Sequence, residues 1–343
     1  MSDSSPVTRP TDPLYIIGTE RSGSNLLRVI LNAHADIDVP HPPHILKYFH
    51  ALAPGYGDLK GRRARATLVR DVLRLLRIHI YPWSFQVDAK AIVDGAQPHS
   101  LLGVFASIYD QHLAHTGKRR WGCKSTFMVH HVAEALARDP GARFIWLVRD
   151  PRDVAVSSRR SVFSPFHPLF TAELWDTQQR EAMRVAEEHP DAVLMVRYEA
   201  LITELEPTLR GIMDFLGEEL QPEMLAHEET AAAKKGANLS ESWQNTGAKV
   251  KSDNFGKYRK ALSTREIGLV QAAAGETMRA LGYELDVVPT PRRPPLSRSV
   301  YGLMDVMWQL KVEVRSLFRD ANHWRRWGRA VLMRALGWRR GHA

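Results

Sequence analysis

Two segments of this sequence carry groups suited to holding anions. The first, Gly18-Thr19-Glu20-Arg21-Ser22-Gly23-Ser24-Asn25, follows a short apolar run, Leu14-Tyr15-Ile16-Ile17, and precedes Leu26, Leu27, Ile30 and Leu31, which recur at helical spacing. A strand, a glycine-bracketed turn and a helix start point backbone N–H groups at an anion lying at the positive end of the helix dipole. Its glycines have the spacing of a P-loop, but Ser24-Asn25 stands where nucleoside triphosphatases carry Lys-Ser/Thr. The lysine for terminal phosphates and the hydroxyl for magnesium are both missing, and Arg21 supplies a cation inside the loop. Taken alone, the loop also reads as a tight turn with an N-cap serine.

The second segment is Phe144-Ile145-Trp146-Leu147-Val148-Arg149-Asp150-Pro151, continuing to Ser157. It predicts a buried strand whose last residues reach the sheet edge where ligands of open α/β sheets bind. Asp150 is placed to cap a helix begun by Pro151, and Ser157 falls about two turns inside it. Arg149 and Ser157 can therefore share an anion. An unrelated surface ion pair and an idle helix serine account for the same residues in isolation.

In this order the two segments resemble the sulfotransferases that use 3′-phosphoadenosine 5′-phosphosulfate (PAPS) and release 3′,5′-bisphosphoadenosine (PAP). The resemblance makes Thr19 to Leu27 the 5′-phosphosulfate loop, with Arg21 at the leaving phosphate and sulfuryl group and Ser22, Gly23, Ser24 and Asn25 around it. It assigns Arg149 and Ser157 to the 3′-phosphate. Val196-Arg197-Tyr198-Glu199 is similar to a family strand whose tyrosine approaches the adenine. Lys251-Ser252-Asp253-Asn254-Phe255-Gly256-Lys257-Tyr258-Arg259 is similar to a late basic loop over the 3′-phosphate, with Lys251 as its first cation. The implied reaction is in-line displacement at sulfur by an acceptor hydroxyl on a glycan, glycolipid or small metabolite, with no metal required. The likeness runs from residue 14 to about 262. A P-loop nucleotide or small-molecule kinase, and a non-catalytic membrane-associated nucleotide-binding adaptor, are the competing readings.

An acceptor hydroxyl needs a proton acceptor. Relatives of the bacterial and carbohydrate type carry a glutamate shortly after the first helix, whereas this chain has Val39-Pro40-His41-Pro42-Pro43-His44. Imidazole titrates near neutrality, so His41 or His44 can take that part. His41 is preferred because prolines on both sides fix its backbone. Two histidines packed in a proline-rich turn are the alternative. Trp121-Gly122-Cys123-Lys124-Ser125 resembles a family segment near the acceptor, and Lys124 is a further catalytic candidate. Leu26 departs from the cytosolic branch, which has a tryptophan there. His130 and His131 make a poor metal pair, since adjacent helical residues point about 100° apart.

These residues need a parallel sheet to position them. Apolar strands at 14–17, 144–148 and 193–196 alternate with helices over about 64–80, near 100–115 and from Pro151, which implies an α/β fold with a P-loop-like sheet covered by helices on both faces. The expected organisation is a loose leader at 1–12, a catalytic domain at 13–288 and, at 289–343, a proline-rich linker followed by a basic amphipathic helical tail. Along that tail Val300, Leu303, Met304, Met307, Trp308, Val314, Leu317, Phe318, Ala321 and Trp324 mark one face.

Charge isolates the tail. Residues 291–343 hold 12 basic and 3 acidic residues, and the first 290 hold 35 of each, so the whole net charge of +9 resides at the C-terminal end. Uniform coating of a nucleic acid is excluded on this distribution. Trp308, Trp324, Trp327 and Trp338 lie among the arginines, a composition suited to an anionic membrane surface. Packing on the body or on another subunit, and holding an acidic glycan or anionic lipid acceptor, are the other uses of the same face. One cysteine, Cys123, excludes an internal disulfide. With no apolar run of membrane-spanning length and no signal-like start, the expected address is cytoplasmic, extending to a peripheral place at the inner membrane surface.

Overall fold

The computed structural model describes residues 12–159, 161, 164–231, 233–234, 247–288, 295–319 and 322–340. Most of the expected leader and the proline-rich stretch 289–294 lie outside them. Five parallel strands form the sheet in the order β2-β3-β1-β4-β5: β1 Leu14–Gly18, β2 Ile37–Asp38, β3 Arg120–Lys124, β4 Arg143–Val148 and β5 Val193–Arg197. Leu14 of the central strand lies opposite Gly122 on one side and Arg143 on the other.

The alternation of side chains along β1 and β4 divides the core into two layers. Tyr15, Ile17, Phe144, Trp146 and Val148 face one layer. Leu14, Ile16, Ile145 and Leu147 face the other, with Leu27, Ile30 and Leu31 of helix α1, Ser24–Asn32. Every residue in both sets is almost wholly buried, which is why these strands read as unbroken apolar runs. The larger layer is covered by α2 Ile45–Phe49, α3 Arg62–Arg77, α4 Leu101–Thr116, α5 Pro151–Ser158, α6 Pro168–Glu188 and, later, a helix at Thr264–Ala280. Helix α7, Tyr198–Thr203, follows β5 directly, and α8, Leu205–Leu216, completes the smaller layer.

From β1 the chain departs toward β2 and β3, and from β4 it departs toward β5 on the opposite side. The crevice beyond the C-terminal ends of β1 and β4 is therefore a topological switch point, the place where an open parallel sheet binds ligands. The tail forms two helices, α9 over Pro295–Arg319 and α10 over His323–Arg340. Both lie on the body. Asp305 accepts hydrogen bonds from the backbone N–H of Phe166 and His167, each 2.7 Å, Tyr301 stacks on His167 at 4.2 Å, and Arg325 donates to the carbonyl of His79 at 3.0 Å. Trp308 also faces inward, stacked on Phe166 at 4.1 Å with its indole N–H donating to the Arg159 carbonyl.

Candidate active site at the sheet switch point

The turn from β1 into α1 is shaped by three residues at positive φ, Gly18, Arg21 and Gly23. Gly18 has φ 124° and a Cβ there would lie 2.3 Å from the Leu147 carbonyl oxygen, so β1 and β4 approach at a distance that only glycine permits. Gly23 has φ 89° and a Cβ there would lie 2.2 Å from the Tyr198 ring. Arg21, also left-handed at φ 70°, directs its Nε to Ser157 Oγ at 3.1 Å. Burial, with the charge of Arg149 second, pushes the Arg21 guanidinium down to about 10, so it stays charged at neutral pH.

Arg149 leaves the end of β4 and ties three segments together. It donates to the carbonyls of Arg21 at 3.0 Å and Asn254 at 2.9 Å, and its guanidinium lies 4.2 Å over the Tyr198 ring. Its own carbonyl accepts from the Trp175 indole at 3.0 Å. Asn254 Nδ2 donates to the Tyr198 hydroxyl at 2.5 Å. Asp150 caps α5 through the N–H of Arg152 at 2.8 Å, as its position before Pro151 implies.

The expected site residues converge on one cavity of about 190 Å³. Arg21, Gly23, Ser24, Asn25, His41, His44, Lys124, Arg149, Ser157, Tyr198 and Lys251 line it. Ser22 lies just behind the lining, fully buried. Ser22 Oγ, Asn25 Oδ1 and Arg149 Nε are buried and meet no hydrogen-bond partner among the described residues. Buried polar atoms left in this state carry a desolvation cost that an anionic, hydrogen-bonding ligand offsets. Two arginines and the loop N–H groups thus form a donor set beside an aromatic ring, an arrangement that fits a bisphosphorylated nucleoside.

The other side of the cavity is formed by the proline-histidine segment and β3. Lys124 is buried, and burial pushes its ammonium down to about 8. His41 is 5% exposed, stacked on Tyr81 with ring centroids 5.7 Å apart, while His44 is half-buried and left-handed at φ 57°. Both imidazoles are held well below their ordinary value, His41 by burial and then Arg28, His44 by burial and then Lys124 and Lys47. Each is therefore neutral at pH 7, and the same burial and neighbouring cations oppose its protonation.

Several residues of the site carry no local motif. Glu20 lines the cavity and pairs with Lys47 at 2.6 Å. Burial would raise its carboxyl, but Lys47 and Lys124 outweigh that and hold it below the usual range. Asp153 accepts from the N–H of Gly256 at 2.5 Å and of Tyr258 at 3.0 Å, anchoring the late basic loop to α5. Arg329 reaches the lining from α10. A buried relay, from the Trp146 indole to Gln179 at 2.6 Å and from Gln179 to Thr19 Oγ1 at 2.9 Å, fixes the start of the β1 loop. Cys123 is buried, accepts from the Tyr109 hydroxyl and has its thiol pushed up to about 12, so it is inert at neutral pH. Among the described residues no group of three or more His, Cys, Asp or Glu is arranged to hold a metal ion.

A model of the sulfotransferase family matches residues 13–222. The chain belongs to that family. Protein-tyrosine sulfotransferase 2 of Gallus gallus is 25% identical over 256 residues, which are 71% of this chain and 61% of that relative. The chain thus matches less than two thirds of the curated relative's length. Among solved structures, the sulfotransferase domain from the curacin biosynthetic pathway is 19% identical, with a TM-score of 0.56 over 81% of this chain and 100% of that one. The sulfotransferase domain of the Synechococcus PCC 7002 olefin synthase is 21% identical, with a TM-score of 0.51 over 82% of this chain and 98% of that one. The α/β sulfotransferase fold expected from the sequence is the fold observed. The family match ends at residue 222, before the late basic loop and the tail.

Proposed function

We propose that this sulfotransferase transfers a sulfuryl group from PAPS to an acceptor hydroxyl. The observation that carries the reading is the joining of Arg21, Ser157, Arg149, Tyr198 and Asn254 along one wall of one cavity. PAPS brings an electrophilic sulfur and a phosphate leaving group. Arg21 and the N–H groups at the start of α1 hold the leaving end, where charge develops. Arg149, Ser157 and Lys251 hold the 3′-phosphate, Tyr198 supports the adenine, and Lys124 offers a cation to the sulfuryl oxygens. A kinase reading has no loop lysine to stand on.

Of the two histidines, the sequence favours His41, whereas its tight stacking and low exposure support His44 as the group that takes the acceptor proton. Calorimetry and a transfer assay test donor and base together. The protein is expected to bind PAP at least a hundredfold more tightly than magnesium-ATP. His44→Asn is expected to keep PAP affinity within threefold and to lower kcat about a hundredfold, in the range of general base catalysis. Preferred binding of magnesium-ATP would overturn the donor; a turnover loss confined to His41→Asn would move the base.

We infer that the tail seats the enzyme on an anionic bilayer. No helix among the described residues is long and apolar enough to cross a membrane. Yet α9 turns Val300, Leu303, Val306, Met307 and Leu310 outward, and Trp324, Trp327 and Trp338 of α10 are 58–75% exposed. The excess of arginine on the same segment complements anionic headgroups. In flotation with phosphatidylglycerol vesicles the full chain is expected to rise with the lipid, and W324S/W327S/W338S to remain below. Equal flotation of both, or flotation with neutral vesicles alone, would count against the lipid surface and for a protein partner.

A further inference from the structure

We propose that helix α6 sets the separation of the two anion pockets, with Trp175 and Gln179 as the positioning residues that let one bisphosphorylated nucleoside reach both; this rests on the donor reading above. Leu169, Ala172, Trp175, Ala182 and Val185 of α6 fall at helical spacing in the larger core layer, and Gln179 lies on the same stripe at 0% exposure. A fully buried amide on an apolar stripe costs stability unless its polar ends are bonded. The Gln179 oxygen accepts from the Trp146 indole at 2.6 Å, and its nitrogen donates to Thr19 Oγ1 at 2.9 Å. An indole can only donate, so the orientation of the amide is fixed and its nitrogen must face Thr19.

Trp175 stands one turn before Gln179 on the same face, and its indole N–H donates to the Arg149 carbonyl at 3.0 Å. One turn of α6 therefore holds both the first residue of the β1 loop and the arginine at the end of β4, the segments that build the two pockets. Residues four apart on a helix keep a separation of about 5–6 Å, so the helix passes a fixed spacing to both segments. Trp146 adds to this, because it lies on β4 opposite Ile17 of β1 and hangs from the same glutamine. Each pocket also has supports of its own. The loop turns on Gly18 and Gly23 and runs into α1, while the Arg149 guanidinium is held by the carbonyls of Arg21 and Asn254. Cutting a tie to α6 thus leaves each pocket formed and loosens the register between them. A ligand that bridges two pockets gains affinity from their fixed spacing, whereas a ligand that fills one does not. The bond from Arg149 to the Arg21 carbonyl remains and limits the loss.

Calorimetry with PAP, adenosine 5′-phosphate and adenosine 3′-phosphate tests this on the full chain, since PAP spans both pockets and each monophosphate meets one. The wild type is expected to bind PAP at least about thirtyfold more tightly than either monophosphate. Gln179→Met keeps the length of the side chain and removes both of its bonds; it is expected to weaken PAP about tenfold and each monophosphate less than about threefold. Thr19→Val cuts the same tie at its loop end with little change in shape, Trp175→Phe cuts the other tie, and both are expected to repeat that pattern. The double variant of Thr19→Val with Gln179→Met is expected to fall within about twofold of Gln179→Met, because one tie can be lost only once. Thr19→Ser retains the hydroxyl and is expected to stay near wild type. Should Gln179→Met not fold, Thr19→Val and Trp175→Phe decide. A loss on PAP that either monophosphate matches would reduce the residue to a brace for one pocket, and unchanged PAP affinity in Thr19→Val or Trp175→Phe would leave α6 no part in the spacing. Either result overturns the proposal and leaves the donor reading standing. A wild type that binds PAP no more tightly than the monophosphates overturns the donor reading itself.

Discussion

Arg149→Ala is expected to weaken PAP binding at least thirtyfold while adenosine 5′-phosphate loses less than fivefold. Arg149 is 6% exposed, so its charge acts through protein and not through screening water. Truncating one partner of a buried, hydrogen-bonded charge pair costs about 2–5 kcal/mol, which corresponds to roughly thirty-fold to several thousand-fold in Kd. Adenosine 5′-phosphate has no 3′-phosphate to lose. The contrast matters because Arg149 also holds the carbonyls of Arg21 and Asn254 in place. If its part were only to brace those loops, both nucleotides would lose affinity alike, and calorimetry with the pair decides between the two. Arg149→Lys restores a point charge without the planar fork and is expected to fall about tenfold short of wild type.

How the site divides between legible and illegible residues follows from distance along the chain. The Arg21 loop and Arg149 could be read because strand, turn and helix-start signals sit within a few residues of each, and the sheet's parallel order sends both to one edge. Ser157 was reachable by counting turns from Pro151. The pairing of Glu20 with Lys47 and the anchoring of Gly256 and Tyr258 by Asp153 leave no local trace, because each joins elements that only the finished topology brings together. Lys124, at the end of β3, looks like a solvated lysine until α2 and the β1 loop close over it. Arg329 is one arginine among many in a basic tail; its register with His323, Arg326 and Leu336 was the available signal, one that the apolar residues at 300–324 overshadowed. That face, read as a single stripe, is divided between two helices, with Trp308 turned inward and most of its companions outward.

Arg21→Gly is expected to cost about a thousandfold in kcat and almost nothing in stability. Removing one preorganised donor from a site of developing negative charge costs about a hundredfold to a thousandfold, and a buried cation belongs at the upper end. The fold gains and loses in nearly equal measure. A left-handed L-residue carries about 1–2 kcal/mol of strain, which glycine at φ 70° removes. Against this stand about 0.5–1 kcal/mol for the freer unfolded chain and about 1 kcal/mol for the lost bond to Ser157 Oγ. Burial and the proximity of Arg149 both disfavour the Arg21 charge, so its removal also relieves repulsion. Thermal melts of the two proteins should therefore agree within a few degrees while single-turnover transfer collapses. Arg21→Lys keeps the strain and the charge, and is expected to retain about a tenth of the activity without a gain in Tm. A melting temperature that falls along with turnover in Arg21→Gly would make Arg21 a brace for the loop and not the group that meets the leaving phosphate.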